Sequence, residues 1–302
     1  MKLVCVIFFL FSIVFLNGAK VQAQEVQPLK KEENTNTVKV VIEAKNIDSP
    51  GYHVLKGIAT YQGKDFPIAF EIFLQKEYFT SKEKFPAIVA LHNIWNDIRG
   101  SDGNPIMHEE AFGRLMSTDI APDSRQTSEM PAIKFNPCKD AQFIGIIPQC
   151  AKDCRYEQMP MSGVVVEIIN WVEKNYRVDS NRCYLTGYSY GGMCTWAIGM
   201  AFPERFAAIV PLSCRLPSAP ETVAEKLKNV GVWCGVGELD GEFFGDCNKM
   251  NGLLVEAKHP NFHFIVIKGG NHFSFPSIYS SPDLWKWLFA QKRQPKTMEI
   301  KK

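Results

Sequence analysis

The chain has 302 residues with 34 basic and 32 acidic side chains, and 46% of it is hydrophobic. Charge this balanced excludes a nucleic-acid partner held by a basic surface. The length and apolar share describe an ordinary packed chain, either one large α/β domain or two small ones.

Met1-Lys2 precede an apolar run from Leu3 to Leu16 broken only by Ser12. The run is too short for a comfortable membrane span, and Val21-Gln22-Ala23 offers small residues where a signal peptidase reads. Residues 1–23 are therefore expected to be a signal peptide cleaved after Ala23, with Ala19 as the weaker site. Residues 24–37 are polar and aperiodic, which predicts a flexible lead-in, and residues 38–302 are expected to form a single catalytic domain. The expected destination is secretion or the periplasm, with no membrane contact after cleavage. Losing Lys2 and Lys20 with the leader leaves equal numbers of basic and acidic residues.

Of nine cysteines, Cys5 leaves with the leader, and an exported chain permits disulfides. Cys138, Cys150, Cys154 and Cys247 lie in loop-like stretches and are the disulfide candidates, whereas Cys183, Cys194 and Cys234 read as buried small side chains. Cys150-x-x-x-Cys154 has no second pair of ligands, so no metal site is expected.

From Val38 to Glu43, Tyr52 to Tyr61 and Phe66 to Leu74, apolar residues alternate or cluster between Gly, Pro and Asp breaks, which predicts an antiparallel start to a sheet. Pro86 to Leu91 is apolar on both faces, as a central parallel strand requires. A loop-like stretch follows from His92 to about Phe135, with a short helix over Glu109 to Met116. Phe143 to Pro148 is a second buried strand. Met161 to Tyr176 repeats Val164, Val165, Ile168, Ile169 and Val172 at helical spacing. Then come strands at Arg182 to Thr186, Phe206 to Leu212, Gly231 to Gly235 and Phe262 to Ile267, with helices at Met193 to Ala201 and Pro282 to Gln291. This alternation predicts a doubly wound, mostly parallel sheet with active groups at the C-terminal strand ends.

Gly187-Tyr188-Ser189-Tyr190-Gly191-Gly192 fits G-x-S-x-G, a short pattern that gains weight from the strand before it and the helix after it. That context makes a nucleophile elbow, with Ser189 held out at a strained turn. A serine hydroxyl needs a base in hydrogen-bond reach, and the base needs an acid to orient it. His272 follows Gly269-Gly270-Asn271 just past the last strand and can reach the catalytic edge. His263 falls within that strand, and His259 sits at the turn before it. Asp240, in the turn leaving the strand at Gly231, is the preferred acid, with Glu238 and Asp246 as rivals. The oxyanion donors are expected to be the Tyr190 N–H and the Ile94 N–H.

These segments resemble the secreted α/β-hydrolases related to polyhydroxybutyrate depolymerases, feruloyl and acetyl xylan esterases, and predicted peptidases. The resemblance covers most of the chain after residue 23. It is carried by Leu91-His92-Asn93 with Arg99-Gly100-Ser101-Asp102, by Pro148-Gln149-Cys150, and by Val178 to Gly192. Pro203 to Ala208, Gly237-x-x-Asp240, Gly270-Asn271-His272 and Trp285-Lys286-Trp287-Leu288 complete it. The resemblance implies an α/β-hydrolase fold, with Ser189 as nucleophile, His272 as base and Asp240 as acid. This sequence departs from the family in having Asn93 where glycine is usual, a position whose turn asparagine can keep by adopting positive φ. It also has Gly235-Val236-Gly237 where His-Gly is more usual. The expected activity is hydrolysis of carboxylic esters, either acyl groups on plant polysaccharide or small aromatic esters, without a cofactor. A serine peptidase with the same triad is the alternative, and an inactive ligand-binding module is the reading that an intact Ser, Asp and His favour least.

Overall fold

The computed structural model describes residues 37–43, 45–93, 141–151 and 154–293. Of the sequence expectations, the leader, the helix over Glu109 to Met116, Ile94 and Cys138 lie outside the described residues.

Nine strands among the described residues form one sheet in the order β1-β2-β3-β5-β4-β6-β7-β8-β9. The antiparallel start comprises β1 (Lys39–Ile42), β2 (Gly51–Tyr61) and β3 (Lys64–Leu74). Gln62 and Gly63 join β2 to β3 with φ of 51° and 73°, the left-handed pair that matches the twist of a tight hairpin. The short helix α1 (Lys76–Thr80) then leads to β4 (Phe85–Leu91), buried along its whole length. Next is β5 (Ile144–Pro148), which pairs antiparallel with β3 and parallel with β4, so it ties the two halves of the sheet together.

Helix α2 (Met161–Asn175) turns Val164, Val165, Ile168, Ile169 and Val172 inward, the residues its spacing singled out. It feeds β6 (Val178–Tyr188), which starts four residues before the expected strand because Val178 already pairs with Phe85 across an irregularity in β4. Helix α3 (Tyr190–Ala201), β7 (Ala208–Leu212), the short α4 (Val223–Lys226) and β8 (Gly231–Gly237) continue the parallel winding. Helix α5 (Gly241–Glu256) was not legible as a helix. Its buried residues are only Cys247, Met250 and Leu254, a stripe too narrow to announce itself among three glycines. Strand β9 (Phe262–Ile267), α6 (Phe275–Tyr279) and α7 (Pro282–Ala290) close the described chain.

Helices α2, α3 and α5 cover one sheet face over a large apolar core that includes Trp196 and Phe206. Helices α6 and α7 cover the other, with Phe143, Tyr184 and Trp285. No helix among the described residues is long and apolar enough to cross a membrane.

The cysteines correct part of the sequence reading. Cys150, Cys183, Cys194, Cys214, Cys234 and Cys247 are free thiols, so the disulfide candidates Cys150 and Cys247 form no bridge. The Cys150 thiol donates to the Cys154 carbonyl oxygen at 3.3 Å, so these two side chains are not bonded to each other. Cys247 is a buried residue of α5 rather than a loop residue, and its thiol donates to the Cys214 carbonyl oxygen at 3.5 Å.

Candidate active site

Strand β6 lies inside the sheet between β4 and β7, and it delivers Ser189 directly from its C-terminal end. Ser189 has φ 58° and ψ −119°, a strained pair for a residue with a Cβ. The turn is held from both sides. The Ser189 N–H donates to the Leu212 carbonyl of β7 at 3.0 Å, and the Ser189 carbonyl accepts from Met193 N–H at 3.0 Å. Close backbone approach explains two of the glycines around it. A Cβ on Gly187 would come within 2.4 Å of the Gly191 backbone, and one on Gly191 within 2.2 Å of the Leu91 carbonyl oxygen.

The three residues expected to act together are brought together. Ser189 Oγ donates to His272 Nε2 at 3.0 Å, and His272 Nδ1 donates to Asp240 Oδ1 at 2.8 Å. The carboxylate fixes the tautomer, since an acceptor facing Nδ1 requires the hydrogen there. Asp240 leaves the C-terminal end of β8 as the first-turn flank of α5, yet its side chain makes no capping hydrogen bond. It is therefore available to the imidazole. Its side chain is 2% exposed, and Oδ2 is buried without a hydrogen-bond partner among the described residues.

The rival groups are engaged elsewhere. Glu238 accepts from Gly269 N–H at 2.9 Å, and Asp246 pairs with Arg215 at 3.0 Å. His263 stacks on Trp233, with ring centroids 4.8 Å apart. His259 bonds the Leu227 carbonyl through Nε2 and accepts from Asn261 N–H at Nδ1. Burial holds both of these histidines below the usual imidazole range.

Several residues that shape the site carry no sequence signal of their own. Phe243, one turn into α5, stacks on His272 at 4.4 Å, while Tyr188 packs against the same ring at 4.9 Å. Arg215 lies over Phe243 and bridges Glu242 and Asp246, which ties the loop after β7 to α5. Such contacts span tens of residues, so neither periodicity nor motif exposes them.

At the start of α3, the Tyr190 N–H occupies a helix position with no intrahelical acceptor. The Tyr190 hydroxyl donates to Glu157 Oε2 at 2.7 Å and accepts from Tyr156 N–H at 3.2 Å. Tyr156 is fully buried and also packs against His92, with centroids 5.0 Å apart. His92 accepts from Cys150 N–H at Nε2, 3.0 Å, and donates from Nδ1 to the Asn93 carbonyl, 2.8 Å. Burial pushes its pKa down to about 4, so the ring is neutral. The Tyr156-Glu157 loop thus links the elbow to the end of β4, where the stretch containing Ile94 begins. Ile94 itself falls outside the described residues.

A model of the prolyl oligopeptidase family matches residues 164–214, from α2 through the elbow to the loop after β7. No curated protein matches the chain. Among solved structures, a thermostable esterase superposes with TM-score 0.57 at 22% identity, covering 76% of this chain and 60% of that one. A variant of the feruloyl esterase module from Clostridium thermocellum, complexed with sinapinate, superposes with TM-score 0.55 at 15% identity over 86% of this chain and 97% of that one. A putative dipeptidyl aminopeptidase IV from Bacteroides ovatus gives TM-score 0.53 at 13% identity, covering 80% of this chain and 36% of that one.

The chain has the α/β-hydrolase fold. This α/β hydrolase departs from a uniformly parallel sheet only in its N-terminal strands, as the sequence pattern predicted. At these identities the likeness carries the fold, and what each neighbour hydrolyses belongs to that neighbour. No group of three or more metal-ligating side chains occurs among the described residues.

Proposed function

We propose that this α/β hydrolase is an exported serine hydrolase that cleaves carboxylic esters, of feruloyl or acetyl type on plant polysaccharide or in small aromatic esters. The observation that carries the reading is the hydrogen-bonded chain Ser189–His272–Asp240 at the C-terminal edge of the sheet. His272 takes the Ser189 proton as Oγ attacks the ester carbonyl, and Asp240 stabilises the imidazolium that forms. The oxyanion of the tetrahedral intermediate is met by the N–H groups of Tyr190 and Ile94. Collapse expels the alcohol, protonated by His272, and leaves an acyl group on Ser189. His272 then deprotonates a water that releases the acid. Serine, histidine, aspartate and water balance these steps, and none of them calls for a cofactor.

Phe243, half-buried where it stacks on His272, favours flat or apolar acyl and alcohol groups next to the bond cleaved. The sinapinate bound to the superposing feruloyl esterase module is a molecule of that class. A second reading, peptide hydrolysis by the same triad, is favoured by the prolyl oligopeptidase match over residues 164–214. It differs in requiring efficient protonation of a leaving amine.

Fluorophosphonate labelling of the wild type and of Ser189→Ala tests the shared mechanism. The wild type should label and the variant should not, and an unlabelled wild type would sink both enzyme readings. Methyl ferulate, acetylated xylan, p-nitrophenyl acetate and peptide amides assayed side by side then separate esterase from peptidase. Turnover of the amides alone would overturn the first choice.

A further inference from the structure

A cavity of about 570 Å³ opens far from the triad. Its described lining includes Ser81 and Lys82, which lead into β4, and Tyr176 and Arg177, which lead into β6. Both strands run from this edge of the sheet to the catalytic one, so the cavity lies at the opposite end of the strands from Ser189. Its volume falls within the range of small-ligand sites, roughly 300–1,000 Å³.

Three cations, Lys45, Lys82 and Arg177, line the cavity, and no carboxylate is among its described lining residues. None of the three makes an ion pair with another described residue. Arg177 is fixed in place. Its guanidinium lies 3.9 Å over the Tyr78 ring and donates from one terminal nitrogen to the Tyr78 carbonyl oxygen. Its Nε is buried and has no hydrogen-bond partner among the described residues, so the guanidinium stays held against the Tyr78 ring.

The rest of the wall fits a ring-shaped polar molecule. Tyr78, Phe79, Trp171 and Tyr176 supply aromatic faces, and 37% of the Phe79 surface is exposed. Asn46 and Asn175 add amide groups, and the Asn175 side-chain nitrogen is already committed to the Trp171 carbonyl at 2.7 Å, which leaves its amide oxygen to accept. Aromatic faces pack against the apolar C–H faces of sugars, amides exchange hydrogen bonds with hydroxyls, and unpaired cations select a carboxylate. We propose that this cavity binds a uronic-acid unit of an acidic polysaccharide. Binding here does not depend on the ester-hydrolase reading. Its consequence does, because a polymer gripped at one end of the sheet raises the local concentration of ester bonds at the other.

Isothermal titration of the full chain, with a xylo-oligosaccharide bearing a glucuronic-acid branch and with the unbranched oligosaccharide of the same backbone, tests the proposal. The branched ligand should bind at least about tenfold more tightly, and raising NaCl should weaken it. Lys45→Glu and Lys82→Glu, both changes of exposed side chains, should each weaken it by about tenfold while leaving kcat/KM on p-nitrophenyl acetate unchanged. Absent binding, equal affinity for the two oligosaccharides, equal or tighter binding of free ferulate, or indifference to both charge reversals would each overturn it. The p-nitrophenyl acetate rate of the wild type is a separate readout, so an inactive chain that still binds the branched sugar refutes the ester reading and not this one.

Discussion

Asp240→Asn exposes the working of the site most directly, because it changes one charge and almost no volume. The Asp240 carboxylate meets His272 through Oδ1 at 2.8 Å, and its Oδ2 is buried with no partner among the described residues. Asparagine can face His272 with either its oxygen or its nitrogen. Turning the oxygen toward Nδ1 places an NH2 group, with two donors, where no acceptor stands. Turning the nitrogen toward Nδ1 strands only one N–H and leaves a carbonyl oxygen where an unpartnered oxygen already sits. Each stranded buried donor costs about 1–3 kcal/mol, so the second arrangement wins by about that amount. In it Nδ1 must accept, the imidazole proton moves to Nε2, and Nε2 can no longer take the proton of Ser189. The expected loss in kcat is about four orders of magnitude, or about 5.5 kcal/mol of transition-state stabilisation. Steady-state kinetics on the best ester substrate measure it, with circular dichroism and thermal unfolding as the check on the fold. A folded variant within about tenfold of the wild-type rate would refute the reasoning and pass the acid role to Glu238 or Asp246.

The strain at Ser189 predicts that Ser189→Gly is more stable to thermal unfolding than Ser189→Ala, by about 1–2 kcal/mol, because only glycine takes φ 58° without cost; equal stabilities would remove the strain argument. Tyr190→Phe deletes the hydroxyl shared by Glu157 and Tyr156. It should cost about 1–3 kcal/mol of stability and lower kcat several-fold with KM unchanged, less than the roughly hundredfold loss of an oxyanion donor itself. A raised KM at constant kcat would place Tyr190 in substrate binding instead. Finally, His92 is neutral in the fold, with its pKa lowered from 6.5 to about 4 by burial. The unfolded chain therefore takes up the proton first. Its contribution is intact above pH 6.5 and lost as the pH falls toward 4, by about 3 kcal/mol in all. Urea midpoints across that window should fall less for His92→Gln than for the wild type, and identical slopes would contradict the assignment.

The site was legible where chemistry and chain order coincide. Ser189, Asp240 and His272 each stand just past a strand, and the order serine, acid, histidine singles out one residue of each type. Strands β2 and β3 were legible because their apolar patterns lie between Gly, Pro and Asp breaks, and β4 and β5 because they are apolar on both faces. Helix α5 was missed because three glycines dilute it and only Cys247, Met250 and Leu254 face inward; the same narrowness made Cys247 look like a loop residue. The expected strand began only at Arg182 because the Phe85–Val178 pairing, and not apolar character, carries β6 back to Val178. The Tyr156, Glu157 and His92 contacts join segments that are adjacent only after the sheet is assembled. Nothing in their local sequence marks them, and the same holds for Phe243 against His272.

The place of β4 in the sheet bears on how the chain is made. Phe85 to Leu91 is buried at every position, and the strands that border it, β5 and β6, both emerge later during synthesis. Until Val178 to Tyr188 has been translated, one full edge of this apolar, uncharged strand has unpaired backbone groups that can recruit another chain. Fragments ending between β5 and β6 should therefore aggregate, and a nascent chain must be shielded over that interval or outrun its own association. The same enclosure that sets Ser189 in the interior of the sheet makes the chain most vulnerable halfway through its synthesis.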